Sequence, residues 1–178
     1  MSKTVTIKDK KFKPYITQQE ISLAVKSLAD RINKELKDEL PVFLVILNGS
    51  FMFATDLLKE VFIPCEISFI KVASYHGTSS SGTVTELIGL TEDLTDRTVV
   101  IIEDIVDTGT TIERLINTLK RKNAKQIKIA TALMKREAYK KTYKIDYIGI
   151  EIKNEFVIGY GLDYEGLGRN LKEIHILD

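Results

Sequence analysis

The sequence holds one cysteine, Cys65, among 178 residues, so no internal disulfide framework can staple it. Ile63-Pro64 precedes that cysteine and Glu66-Ile67 follows it, which predicts the edge of a buried strand. A thiol there more often acts as a small hydrophobe than as a nucleophile, and the lack of disulfides fits a reducing cytosol. Charge of one sign is missing as well: 26 basic residues face 25 acidic ones, for a formal net charge of +1. That balance gives no global pull toward nucleic acid or an anionic membrane, so an anionic substrate would have to be held by local groups. Long apolar runs are absent. The longest, Val42 to Leu47, falls far short of the ~20 residues that cross a bilayer, and Met1-Ser2-Lys3-Thr4-Val5-Thr6 lacks the apolar stretch of a signal peptide. A cytoplasmic chain with neither membrane nor nucleic-acid partner is expected. Repeats and low-complexity segments are lacking too, and the three prolines are scattered. One domain, 1–178, is the simplest reading, and it is long enough to bury a core.

What is present is a regular alternation of apolar strands and amphipathic helices. Thr17-Gln18-Gln19-Glu20 is a capping-box pattern, in which hydroxyl and carboxylate satisfy orphan N–H groups. Ile21, Leu23, Ala24, Leu28 and Ile32 then recur at helical spacing, predicting a helix to about Leu36. Strands are predicted at Val42–Leu47, Glu66–Ala73, Val99–Ile102, Ile127–Leu133 and Tyr147–Ile152, with helices through Ala54, Leu57, Leu58 and Val61 and through Ile112, Leu115, Ile116 and Leu119. Ser74 to Thr83 is polar and aperiodic, which reads as a mobile loop. Such alternation indicates βαβ units around a mainly parallel sheet. Ligands bind beyond the carboxyl ends of such strands, which points to the loops starting at Leu47, Ala73, Ile102 and Leu133.

One of these loops carries chemistry. After Val99-Val100-Ile101-Ile102 come Glu103-Asp104-Ile105-Val106-Asp107-Thr108-Gly109-Thr110-Thr111. Two adjacent carboxylates at the end of a buried strand suit a vicinal diol, whose hydroxyls donate to them, and a hard cation such as magnesium. Three hydroxyl residues and a glycine then stand at the mouth of a helix, where free N–H groups and the helix dipole make a phosphate site. Asp107 lies between the two parts, placed to reach whatever attacks the sugar. Asp107-Thr108-Gly109 alone could be a plain helix cap. The carboxylate pair and the apolar strand before it favour the ribose phosphate.

The segment resembles the phosphoribosyl pyrophosphate motif of type I phosphoribosyltransferases, and the chain from about Ile16 onward is similar to their hypoxanthine–guanine branch. The resemblance implies an α/β fold: a mainly parallel twisted sheet flanked by helices, with a small hood subdomain from N- and C-terminal segments. It implies Mg2+-dependent transfer of a 5-phosphoribosyl group to N9 of a 6-oxopurine, with loss of pyrophosphate. By it, Glu103 and Asp104 hold the ribose hydroxyls and approach magnesium. Asp107 takes the purine N7 proton and, with Thr108, Gly109, Thr110 and Thr111, cradles the 5-phosphate. Leu47-Asn48-Gly49-Ser50 matches the pyrophosphate loop, with a non-proline cis peptide between Leu47 and Asn48. Family members commonly carry lysine where this chain has Asn48, so a cation is missing while the backbone contact is kept. Ser74-Tyr75 would open a lid over the reacting centre, which has to be shielded from water.

Lys135 aligns with the lysine that donates to a purine 6-oxo group. An ammonium has only donors, so it favours an oxo group over adenine's amino group. Glu155 to Tyr164 matches the purine-binding stretch: Phe156 would stack on the base, the Val157 backbone would read its edge, and Asp163 would bind a second magnesium. Arg169 would hold pyrophosphate. Without the resemblance, Asn48-Gly49-Ser50 is an ordinary turn, Lys135 and Arg169 are surface cations, and Phe156 and Val157 are core. His76 reads as solvent-exposed and His175 as structural. The resemblance also implies a homo-dimer or homo-tetramer. An adenine- or xanthine-preferring transferase is the near rival, and a non-catalytic sensor of the same sugar phosphate the distant one. No Gly-x-x-x-x-Gly-Lys-Ser/Thr or Gly-x-Gly-x-x-Gly pattern occurs, which removes the common nucleoside-triphosphate loops.

Overall fold

Among the described residues the backbone builds two sheets that share one hydrophobic core. The computed structural model describes residues 3–73, 85–88 and 90–178. Ser74, Tyr75 and His76, and with them the lid expectation, lie outside the described residues.

The N-terminal hairpin, β1 (Val5–Ile7) and β2 (Lys10–Ile16), leads into α1 (Gln18–Glu35). The helix starts where the capping box predicts. Thr17 Oγ1 accepts the Glu20 N–H at 3.2 Å, and Glu20 Oε2 accepts the Thr17 N–H at 2.9 Å. Next come β3 (Val42–Leu47), α2 (Phe51–Glu60), β4 (Glu66–Ala73) and β5 (Thr85–Ile88). The second half runs β6 (Thr98–Val106), α3 (Thr110–Arg121), β7 (Gln126–Lys135), β8 (Tyr147–Ile152), β9 (Val157–Ile158) and β10 (Ile174–Leu177).

The larger sheet has the order β5-β4-β3-β6-β7-β8, with β5 antiparallel at one edge and the other five strands parallel. Its central apolar strands, β3 and the first half of β6, are buried on both faces, as a parallel sheet between helices requires. Phe43, Val45, Val100 and Ile102 face the core under α1 and α2, while Leu44, Val99 and Ile101 face the core that Ile112, Leu115, Ile116 and Leu119 of α3 complete. The smaller sheet, β1-β2-β10-β9, is antiparallel and joins the two ends of the chain into the hood. Ile16, Val157, Tyr160 and Ile174 of the hood segments enter the same core as α1 and α2. His175 is buried in β10, with Nδ1 3.3 Å from the Glu173 carbonyl.

Two strands outrun their apolar patterns. β6 does not stop at Ile102 but continues to Val106, because Ile105 and Val106 still pair with Leu133 and Met134. β7 likewise continues through Lys135, which pairs with Ile152, so Lys135 ends the strand instead of following it. The continuation has a consequence. Ile102 and Ile105 both pack on the α1–α2 side, with Ile101 and Val106 in the opposite core. The strict alternation of a strand therefore slips by one place between Ile102 and Ile105. The two residues in the slip are Glu103 and Asp104. Cys65, just before β4, is partly buried, and burial pushes its thiol above the ordinary range; a thiol in that state is a poor nucleophile.

Candidate active site

The carboxyl ends of β3 and β6 meet the loop between β9 and β10, bringing Gly49, Asp104 and Gly161 together, and the end of β7 sets Lys135 beside Asp107. Asp104 is the hinge of the arrangement. Its Oδ1 accepts the Ile105 N–H at 2.7 Å, and its Oδ2 lies 1.5 Å from where a Cβ on Gly49 would stand. Only a residue without a side chain lets the β3 loop lie so close to this carboxylate. Glu103 stands beside it, and Glu103 Oε2 is enclosed with no hydrogen-bond partner among the described residues. Burial, and then the neighbouring Asp104 charge, push the Glu103 carboxyl well above its usual range. Burial raises Asp104 too, opposed by the Ile105 N–H and the nearby Arg169 charge. An orphaned carboxylate oxygen beside a second carboxylate suits a hard cation.

Downstream, the chain turns through Gly109, whose φ of +82° is left-handed and free of penalty only for glycine. A Cβ there would also come within 2.4 Å of the Tyr139 ring. Gly109 is the N-cap of α3 and no side chain caps the helix. Its first N–H groups are thus left for a ligand. Glu103, Ile105, Asp107, Thr108, Gly109, Thr110 and Thr111 line a recess of about 80 Å³ here, and the Thr108 and Thr110 hydroxyls are 3.2 Å apart.

The third wall comes from the β9–β10 loop. The Leu47–Asn48 peptide is cis, and the Gly49 carbonyl that follows it would be 1.9 Å from a Cβ on Gly161. Gly161 in turn donates its N–H to the Arg169 carbonyl at 2.9 Å and accepts Arg169 Nη1 at 2.7 Å. Arg169 Nη2 pairs with Asp163 Oδ1 at 2.6 Å. The Asp104 carboxylate is thus packed on the Gly49 backbone and the Gly49 backbone on that of Gly161, with a guanidinium and a carboxylate at the far side. Asn48 is exposed.

At the end of β7, Lys135 Nζ lies 3.7 Å from Asp107 Oδ2. The Lys135 side chain is only 12% exposed, so it is no free surface cation. Phe156 is 43% exposed. Its ring is held by Phe12 at 6.1 Å and edge-on by Tyr164 at 5.9 Å, with Lys10 Nζ 5.7 Å from its centroid. Val157 is buried in the hood core, so only its main chain is available to a ligand. Two contributors escape a sequence reading. Ile105 lines the recess between the carboxylate pair and Asp107, and Gly161 closes on the β3 loop. The Gly159-Tyr160-Gly161 spacing was a signal for the second, but a local pattern does not say which segment a glycine approaches.

The chain belongs to the phosphoribosyltransferase family: the Phosphoribosyl transferase domain matches residues 15–165. Within that family it is similar to hypoxanthine-guanine phosphoribosyltransferases. Those of Streptococcus pneumoniae and Bacillus subtilis are 39% and 38% identical to it, over 93% of this chain and 92% of their own. The crystal structure of a hypoxanthine phosphoribosyltransferase from Staphylococcus aureus is similar in fold, with a TM-score of 0.87 and 36% identity over 93% of this chain and 91% of that one.

The glycine packing gives a direct test. Gly161 and Gly166 both have left-handed φ values, +100° and +83°, yet a Cβ on Gly166 meets nothing within 4 Å. Backbone strain alone should make Gly166→Ala cost about 1–2 kcal/mol. The collision with the Gly49 carbonyl should make Gly161→Ala cost about 1 kcal/mol more than that, or worse. Urea unfolding of both variants measures the difference; equal costs would mean that the two loops do not touch as described.

Proposed function

We infer that this chain transfers the 5-phosphoribosyl group of phosphoribosyl pyrophosphate to hypoxanthine or guanine, giving IMP or GMP and pyrophosphate, a purine-salvage reaction. The observation that carries the reading is the run from Glu103 to Thr111, two enclosed carboxylates leading into an uncapped helix mouth. Glu103 and Asp104 would take the ribose hydroxyls, and Asp107 with Thr108 to Thr111 would cradle the 5-phosphate. Leu47, Asn48 and Gly49 would present backbone N–H groups to the pyrophosphate, with Arg169 against its charge.

Lys135 and Asp107 set the base. One offers donors and the other an acceptor, side by side at 3.7 Å. A 6-oxopurine shows the matching pair on one edge, an N7–H donor next to an O6 acceptor, whereas adenine's amino group would face the ammonium with a second donor. As N9 bonds to C1 and pyrophosphate departs, Asp107 would accept the N7 proton. Phe156 would stack on the ring, and the Val157 main chain would read its far edge.

Magnesium fits the same residues. Glu103 and Asp104 supply oxygens, one of them unpartnered, and Asp163 would supply a second ion once it releases Arg169. No three acidic, histidine or cysteine side chains converge among the described residues, so an ion would draw its other oxygens from substrate and water, the usual habit of magnesium. When bound, the ion would neutralise charge building on the leaving group. No helix among the described residues is long and apolar enough to cross a membrane.

The test is nucleotide formation from phosphoribosyl pyrophosphate with magnesium and hypoxanthine, guanine, xanthine and adenine in parallel. Hypoxanthine and guanine should be used, with adenine poorer by roughly 10⁴-fold, the penalty for leaving site donors unpaired. In the same assay Asp107→Asn should lower kcat by roughly 10²–10⁴-fold. Equal use of adenine would sink the Lys135 argument, and an unchanged kcat would sink the base assignment.

The homo-oligomer is supported by an apolar face on β4. Ile67 and Phe69 are 49% and 46% exposed, yet they stand in register with Phe43 and Val45, on the sheet face that is otherwise core. A sedimentation-equilibrium mass of two or four chains is expected; the mass of a single chain would exclude it.

A further inference from the structure

Asp163 and Arg169 are positioned by their own turn. Asp163 Oδ1 holds Arg169 Nη2 at 2.6 Å, and Asp163 Oδ2 accepts the Gly166 N–H at 2.7 Å. Tyr164 and Leu167 exchange main-chain hydrogen bonds at 2.9 and 3.0 Å. Where this turn sits therefore decides where both charged groups point. It is tethered to Gly161 at one end, but its middle leans on a segment far away in sequence.

That segment is the tip of the N-terminal hairpin, and four consecutive residues touch the turn. Ile7 Cδ1 lies 2.8 Å from where a Cβ on Gly168 would be. The Lys8 ammonium pairs with the Glu165 carboxylate. Asp9 Oδ1 accepts the Tyr164 hydroxyl at 2.9 Å, across 155 residues of chain. Lys10 Nζ sits 4.5 Å from the Tyr164 ring centroid and 5.7 Å from that of Phe156. The Lys8–Glu165 pair joins two well-exposed side chains and contributes little. The Tyr164 hydroxyl bond, though also exposed, differs in its anchorage. Its ring is fixed by Phe12 and Phe156, so the bond is directional and leaves the turn little freedom.

We propose that the Asp9–Tyr164 hydrogen bond is a latch through which the N-terminal hairpin positions the 163–169 turn for the pyrophosphate end of the substrate. Asp9 and Tyr164 are then positioning residues: they touch no reacting atom and act through Asp163 and Arg169. The inference rests on the phosphoribosyl-transfer reading. Without the latch the turn keeps its internal bonds but shifts as a unit, and binding of phosphoribosyl pyrophosphate weakens. Base binding is spared in Tyr164→Phe, because the ring that supports Phe156 remains.

Steady-state kinetics with magnesium, varying each substrate in turn, test this on Tyr164→Phe, Asp9→Ala, Asp9→Asn and the Asp9→Ala/Tyr164→Phe double variant. Tyr164→Phe and Asp9→Ala should each raise KM for phosphoribosyl pyrophosphate roughly threefold to tenfold, the worth of one hydrogen bond. KM for hypoxanthine should stay within about twofold. Asp9→Asn should restore the parent value, since its amide oxygen accepts the same bond, and the double variant should be no worse than either single one. If the parent protein forms no nucleotide, the transfer reading itself fails. If it turns over and the variants keep its KM, or if both KM values rise together, the latch is overturned.

Discussion

Two carboxylates placed side by side with too few partners are the constraint around which this structure is organised. Glu103 and Asp104 sit in the slip of strand β6, where burial raises both carboxyls and the Asp104 charge raises Glu103 further. Asp104 is partly answered by the Ile105 N–H and the Arg169 charge, whereas Glu103 Oε2 has no partner among the described residues. Native structures rarely leave a buried acceptor so. A vicinal diol or a hard cation supplies what is missing, and phosphoribosyl pyrophosphate with magnesium brings both.

The surroundings follow from that pair. The β3 loop must approach Asp104 without a side chain, hence Gly49, and the hood loop must approach Gly49 in the same way, hence Gly161. Gly49 makes room for the Asp104 carboxylate and Gly161 for the Gly49 carbonyl, so this end of the site is walled largely by main chain and closed by the Asp163–Arg169 pair. At the other end, α3 begins uncapped beside Thr108 and Thr110. Lys135 and Asp107 stand between these ends, where sugar and base would join. The larger sheet thus carries Glu103, Asp104, Asp107 and Lys135 and the hood carries Phe156, Asp163 and Arg169, and the core that joins Ile16, Val157 and Ile174 to α1 and α2 holds the two together.

The parts of this arrangement readable from sequence are those written in local pattern. The capping box at Thr17 and Glu20, the apolar strands β3 and β6, and the acidic run into a helix mouth each depend on neighbours a few residues apart. Strand ends were harder. β6 and β7 run on because Ile105 pairs with Leu133 and Lys135 with Ile152, and no local feature announces a partner strand. The hood was invisible to pattern alone. Three of the seven residues of β2 are lysines and a fourth is Pro14, and β9 has two residues, so the hood rested on family resemblance. The closures at Gly49 and Gly161, and the pairing of Lys135 with Asp107, join segments tens of residues apart and emerge only once the chain is folded.

The most direct measurement is calorimetric titration of phosphoribosyl pyrophosphate into the protein without any purine, with and without magnesium, on the parent chain and on a Glu103→Gln/Asp104→Asn variant. The account predicts one magnesium-dependent site per chain in the parent, and at least roughly a hundredfold loss of affinity in the variant, as expected when two charged hydrogen-bonding groups are removed. Undiminished binding by the variant would contradict it, because the sugar phosphate would then be held somewhere other than the carboxylate pair.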